Sequence, residues 1–318
     1  MSSNASSKDP IRVPPEKRGA LYRLTNPPAI AWPTVGVLAF ILTGVLGTDI
    51  LSVMGYLPLG AASLVNVVFM YPVFHVVHDA THRSASANVR LNDWIGRIGL
   101  LPIAPFVSLS TFRYSHMIHH RFTNGPKDPD HYAHGPWWNI ALRWMTFDLS
   151  YVYYNLRSGD PRGIQTLKDT LPLAALTVLT IAVLVGKGYG SEVLFLWFIP
   201  ARITTMLIGF VFLWLPHLGD ANTGQVVHLN DDTAGSGLTT GTTMRLGHEG
   251  VLDYLMQWHN YHLIHHLWPT TPSYQHSAVW RLMEPELRAR DLRIQHGWAL
   301  ASVLEPGQSV QVNQGANL

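Results

Sequence analysis

Residues 51–82 read LSVMGYLPLGAASLVNVVFMYPVFHVVHDATH, an apolar run from Leu51 to Val77 that ends in His78-Asp-Ala-Thr-His82. As a helix the run is long enough to cross a hydrocarbon core of about 30 Å and continue past it. The four-residue spacing of His78 and His82 puts both imidazoles on one helix face, so the span delivers a metal-binding pair at its far end. The pattern recurs twice, as His116-Met-Ile-His119-His120 and His262-Leu-Ile-His265-His266. One HxxHH arises by chance in a His-rich chain at roughly the per-cent level; two copies plus an HxxxH do not. The three boxes together offer eight imidazoles to a shared site.

The rest of the chain has the composition of a membrane protein. Apolar residues make up 47% of the 318 and charged residues 13%, against roughly 25% charged in soluble domains. The apolar residues come in four blocks, about 29–46, 51–77, 171–185 and 193–215. The loop Gly186-Lys-Gly-Tyr-Gly190 between the last two is too short to do more than reverse direction. The expected fold is an all-α integral membrane protein: four transmembrane helices in two hairpins, interfacial helices, and a histidine-rich cap.

Basic residues concentrate in cytoplasmic loops. All of the 22 Lys and Arg except Lys187 and Arg202 fall before the first block, between the two hairpins, or after the fourth block. Both termini and all three boxes are thereby expected on the cytoplasmic face. Residues 1–28 are expected to form a disordered cytoplasmic tail, 29–304 the membrane domain, and 305–318 a flexible tail. The N-terminal stretch lacks the apolar core of a secretory signal. Two mixed stretches, Leu91 to Phe112 and Trp137 to Leu156, combine aromatics with charge and suit interfacial helices, with cytoplasmic core helices as the alternative.

The chain has no cysteine, which excludes disulfides, thiolate zinc sites and an iron–sulfur cluster of its own. Eight histidines exceed what one zinc ion takes, and two ions fit better. Imidazole suits iron, zinc and copper alike, so ligand type leaves the metal open. A membrane zinc hydrolase would use fewer histidines plus carboxylate chemistry, and a metal transporter would place its ligands near the bilayer midplane.

The order HxxxH, HxxHH, HxxHH around a second hairpin resembles the membrane-bound fatty acid desaturase and hydroxylase superfamily, over roughly Ala29 to Trp280. The resemblance implies two iron ions (Fe2+) held almost wholly by histidine in a cytoplasmic cap, with O2 as co-substrate and a long apolar lipid as substrate. It assigns ligand roles to His78, His82, His116, His119, His120, His262, His265 and His266. It adds His217, after Leu213-Trp-Leu-Pro216, as a ninth, the other reading being an ordinary interfacial histidine. His75 and His259 precede boxes one and three and are read as outer donors or access-path residues. Asp79, Asp128 and Asp130 are candidate acceptors for ligand N–H groups. His131, His134, His228, His248, His276 and His296 receive no role. Within the superfamily, His82-Arg-Ser, Arg121-Phe-Thr-Asn124, Asp128-Pro-Asp130 and His266-Leu-Trp-Pro269 look most like bacterial β-carotene hydroxylases and ketolases. Carotenoid-ring hydroxylation is therefore the first expected activity, with fatty acyl desaturation or hydroxylation as the alternative, in a bacterial inner membrane. No HPGG haem motif occurs in the chain, so the resemblance implies a separate ferredoxin or cytochrome b5 as electron donor. Arg202, within the fourth block, is expected either to contact a polar substrate end or to pair inside the bundle. Pro200 beside it suggests a local helix break.

Overall fold

The computed structural model describes residues 11–218 and 238–308. Among the described residues the chain is mostly helical, and four helices are long and apolar enough to cross a membrane: Trp32–Val53, Leu59–Thr81, Pro161–Gly186 and Gly190–His217. In chain order we label the helices α1 (Pro15–Thr25), α2 (Trp32–Val53), α3 (Leu59–Met70), α4 (Val73–Thr81), α5 (Val89–Leu100), α6 (Leu109–Phe122), α7 (Ile140–Met145), α8 (Phe147–Arg157) and α9 (Pro161–Gly186). They continue with α10 (Gly190–His217), α11 (Glu249–Leu255), α12 (His262–Leu267) and α13 (His276–Arg288).

The first span is longer than its apolar block suggests. Gly47, Thr48 and Asp49 look like turn residues, yet the helix runs through them to Val53. Thr48 Oγ1 donates to the Gly44 carbonyl inside the helix, and Asp49 accepts from the Asn66 amide of α3. Gly44 lets the two helices approach closely, since a β-carbon there would lie 2.1 Å from the Phe69 ring. The second span is broken at Tyr71-Pro72 into α3 and α4, and it is α4 that carries box one.

One expectation about α10 is corrected, and of the two readings of Arg202 the pairing one holds. Pro200 does not break the helix: it sits where a π-helical stretch, Val193–Phe198, gives way to α-helix at Ile199, so its missing N–H falls at a shift of the hydrogen-bond ladder. Arg202 pairs inside the bundle, its Nη1 and Nη2 donating to the Asp148 carboxylate at 3.0 and 2.8 Å and to the carbonyls of Met145 and Ile103.

Side-chain caps start three of the helices. Asn88 caps α5, Ser108 caps α6 and Asp160 caps α9, with Pro161 at the first helical position. The apolar faces of α5, α7 and α8 remain open, with Trp94, Leu101, Leu142 and Leu156 all more than half exposed, as is Trp138 just before α7.

The chain is not purely helical. A three-stranded sheet of β1 (Thr243–Leu246), β2 (Leu292–His296) and β3 (Val303–Glu305) pairs β1 parallel to β2, with Met244 opposite Ile294, and β2 antiparallel to β3. Its Met244, Leu292 and Ile294 join Ile264, Trp280 and Met283 in a core separate from the one built by α2, α4, α5, α6, α8 and α10. The described part of the expected disordered N-terminal tail is also ordered. Pro15 starts α1, Leu21 is buried in the second core, and Lys17 Nζ lies 2.7 Å from Glu286 of α13. At the other end Glu305 belongs to β3, and the Gly307 N–H donates to Asp291. The remaining tail residues, 1–10 and 309–318, and His228 lie outside the described residues.

Candidate metal centre

The histidine boxes meet where the two cores meet. Box one forms the last turns of α4, box two the second half of α6, and box three the whole of α12, while His217 is the final residue of α10. The cluster therefore lies at the ends of two long apolar helices and not midway along them. Glycine permits one of the closest approaches: a β-carbon at Gly96 of α5 would lie 2.6 Å from Ala80, between His78 and His82.

Nine histidines converge into two groups that adjoin. His78, His82, His116 and His265 offer nitrogens within 4.8 Å of one another, and so do His119, His217, His262 and His266. His120, together with His265 and His266, links the two. In the first group, Nε2 of His78 lies 3.2 Å from Nε2 of His265, and the linking His120 brings its Nε2 to 2.8 Å from the same atom. In the second, Nε2 of His262 is 2.9 Å from that of His217 and 3.0 Å from that of His266.

These contacts test whether the residues suit a metal pair. Neutral imidazoles this close cannot all donate, so several nitrogens must face one another as lone pairs. Burial, then mutual repulsion, holds the pKa of His116, His120, His262, His265 and His266 well below the usual imidazole value, and His82 falls to about 3. Neutral, inward-facing imidazoles are what a divalent transition metal requires.

His119 is the exception that strengthens the fit. Burial alone would lower it, but the carboxylates of Asp128 and Asp130 prevail and raise it to about 9. Its Nδ1 lies 3.0 Å from both Asp128 oxygens and 3.4 Å from Asp130 Oδ2. With Nδ1–H donating to Asp128, Nε2 faces the cluster, where the two buried carboxylates favour positive charge, as a proton or a cation. Asp128 is itself fixed by the N–H groups of Asn124 and Asp130, and Asp130 accepts from the Tyr151 hydroxyl.

The expected outer residues fare differently. Asp79 accepts from Thr34 and Ser273 and lies 3.6 Å from His75, so it ties box one to α2 and to the segment before α13. His75 sits in this network and in neither group. His259 is in neither group, yet its ring packs 4.5 Å from His262 and 5.0 Å from His78, with Phe74 and Phe212 against its edges.

Several supports were not legible in the sequence. His276, given no role, is wholly buried with its ring 5.9 Å from His265. Arg113 donates to the carbonyls of Ala80 and Thr81, inside box one. Gln257 bridges the break in the second span: its Oε1 accepts from the His75 N–H at 2.8 Å, and its Nε2 donates to the Tyr71 carbonyl. That N–H belongs to the first turn of α4 and has no partner within its own helix. Gln257 and Trp258 adopt positive φ of 51° and 60°, a strained approach that delivers box three. Positive φ at non-glycine positions could have marked this segment, but sequence gives no such signal.

Comparison with known proteins agrees with the geometry. The profile of the fatty acid desaturase family matches residues 24–298. A segment of 52 residues is 50% identical to an sn-1 oleoyl-lipid 12-desaturase of Arthrospira platensis, covering 16% of this chain and 14% of that protein. Another of 64 residues is 44% identical to the Omega-3 fatty acid desaturase fat-1 of Caenorhabditis elegans, covering 20% of this chain and 15% of that one. The matched segments thus span only a small part of these relatives. With the family match running through all three boxes and His217, this chain belongs to the fatty acid desaturase family.

Proposed function

We propose that the protein is a membrane-bound di-iron desaturase that removes two hydrogens from the acyl chain of a lipid, using O2 and electrons from a separate ferredoxin or cytochrome b5. The observation that carries this reading is the convergence of nine histidines into two adjoining groups at the ends of two membrane-length helices. His78, His82, His116, His120 and His265 would hold one ion, and His119, His217, His262 and His266 the other. The bound iron pair supplies the reduction of O2 and the oxidising power to take hydrogen from an unactivated C–H bond. The chain's own residues orient the ligands, through Asp128 on His119 and Gln257 on the strand of sequence leading to box three. They also exclude water, since all nine histidines except His120 are at most 6% exposed. Removal of two hydrogens with O2 needs two electrons and two protons to yield an alkene and two waters, which is why a donor is required.

The acyl chain now takes precedence over the carotenoid ring as substrate, because both curated relatives are named as fatty acid or acyl-lipid desaturases. The four long helices are read as two hairpins with both termini and the histidines on the cytoplasmic face, following the basic residues. The open apolar faces of α5, α7 and α8 suit the headgroup level. Expression in a host that accumulates β-carotene, with fatty acids and pigments both read by mass spectrometry, tests the substrate. New double bonds in acyl chains with unchanged pigment are expected; hydroxylated pigment with unchanged fatty acids overturns the acyl reading. A Gly188→Cys variant labelled by an impermeant maleimide from outside intact cells, with Lys127→Cys unlabelled, tests the orientation.

A further inference from the structure

Two cavities that no histidine lines follow α9. The first, of about 490 Å³, lies between α5, the segment 105–110 and the third and fourth turns of α9. The second, of about 530 Å³, continues along α9 past Leu176, Ile181 and Leu184 to Leu196 of α10 and Val53 of α2. They share Leu101, Pro105 and Leu173 as a common wall, so they form one groove. No histidine of either metal group lines it. Only 6% of the residues in the apolar part of α9 are buried, so protein leaves the groove open along its side.

The two ends of the first cavity differ in chemistry. At its mouth Arg97 and Lys168 are exposed, and among the described residues neither has an acidic partner. Of the other charges there, Asp93 is paired with Arg113 at 2.6 Å, and Asp169 accepts from the Ser110 hydroxyl and keeps its negative charge, so the three cations and two carboxylates of the lining leave it net positive by one. The Arg97 guanidinium lies over the ring of Trp94, which is 58% exposed and suits the headgroup level. Beyond the mouth the walls are apolar. From Lys168 to Leu184, α9 runs about 24 Å, a length suited to one lipid chain.

We propose that this groove is a phospholipid site, with the phosphate diester between Arg97 and Lys168 and one acyl chain running past Leu101 and Leu173 into the second cavity. Two cations without carboxylate partners at the headgroup level attract phosphate, and arginine can grip it with two N–H groups. The lipid is not the substrate, because the groove carries its chain along the outside of the bundle. Its effect reaches the metal centre through Arg113, which lines the same cavity and donates to Ala80 and Thr81 between His78 and His82. A lipid seated there packs against the residue that holds box one.

Native mass spectrometry and thermal unfolding of the full-length protein in mild detergent test the site. Wild type should retain one phospholipid, and after lipid depletion its Tm should rise with added phosphatidylglycerol but not with a phosphate-free galactosyl diacylglycerol. The double variant Arg97→Gln/Lys168→Gln changes only exposed side chains; its lipid-free Tm should match wild type while its affinity for phosphatidylglycerol falls at least tenfold. Leu173→Trp should block the groove and abolish the Tm response with the cations intact. Equal binding of the two lipids by wild type, or undiminished phosphatidylglycerol binding by the double variant, overturns the proposal and indicates only a nonspecific lipid annulus. Since these readouts are lipid occupancy and Tm, neither outcome bears on the desaturase reading.

Discussion

Asp128→Asn isolates one half of the metal centre. The Asp128 carboxylate serves three donors, His119 Nδ1–H and the N–H groups of Asn124 and Asp130. An asparagine of the same shape keeps one acceptor oxygen and must turn its NH2 toward at least one of those donors. It also removes a negative charge beside a buried imidazole. Losing such an outer partner costs typically 10- to 100-fold in metal affinity, or about 1.4 to 2.7 kcal/mol. Here Asp130 Oδ2, 3.4 Å from the same Nδ1, takes over part of the role. The single variant should therefore lose nearer tenfold, and Asp128→Asn/Asp130→Asn nearer a hundredfold. Only the group of His119, His217, His262 and His266 depends on this pair, so iron measured after chelator challenge should fall from two per chain toward one, with the remaining ion as resistant as in wild type. Thermal unfolding run alongside separates metal loss from misfolding. Retention of both ions at wild-type resistance in the double variant, or their loss together, would refute the assignment of Asp128 to one group.

The same geometry distinguishes two further histidines: His217→Ala should lose iron and turnover together, whereas His259→Gln should keep two irons and slow turnover, and iron analysis beside product formation decides between them. The buried Arg202–Asp148 pair should cost about 3 to 5 kcal/mol when either partner alone is replaced by an apolar residue, and much less when both are; denaturant unfolding of the two singles and the double gives the comparison. In the chelator-treated protein, burial keeps His82 neutral down to about 3, so the stability it contributes is whole above its unfolded pKa near 6.5 and is lost as pH falls toward 3. His119, raised to about 9, contributes stability that is whole below about 6.5 and is lost as pH rises through 9. Tm against pH should accordingly decline on both sides of neutrality, and a Tm that stays flat from pH 7 to 4 would contradict the burial of the box histidines.

Much of this protein was determined by short-range pattern. Four apolar blocks became four membrane-length helices because length and apolarity alone decide what can cross a bilayer. The three boxes were legible because spacings of three and four residues project side chains from one helical face, whatever the rest of the chain does. Tertiary structure decided what local pattern cannot encode. Asp49 and Thr48 stay inside a helix because Asn66 and the Gly44 carbonyl, on a neighbouring helix and a previous turn, satisfy them. Lys17 and Leu21 order a segment of disordered composition because α13 and the second core lie beneath it. The sheet forms because residues 243–246 meet residues 292–296, a pairing of distant segments. The centre itself required α4, α6, α10 and α12 to converge: His217, 45 residues before box three and part of no box motif, joins because helix α10 ends there. Asp128 rather than Asp79 supports a cluster histidine, since packing, and not proximity in sequence, chooses which carboxylate faces the imidazole N–H.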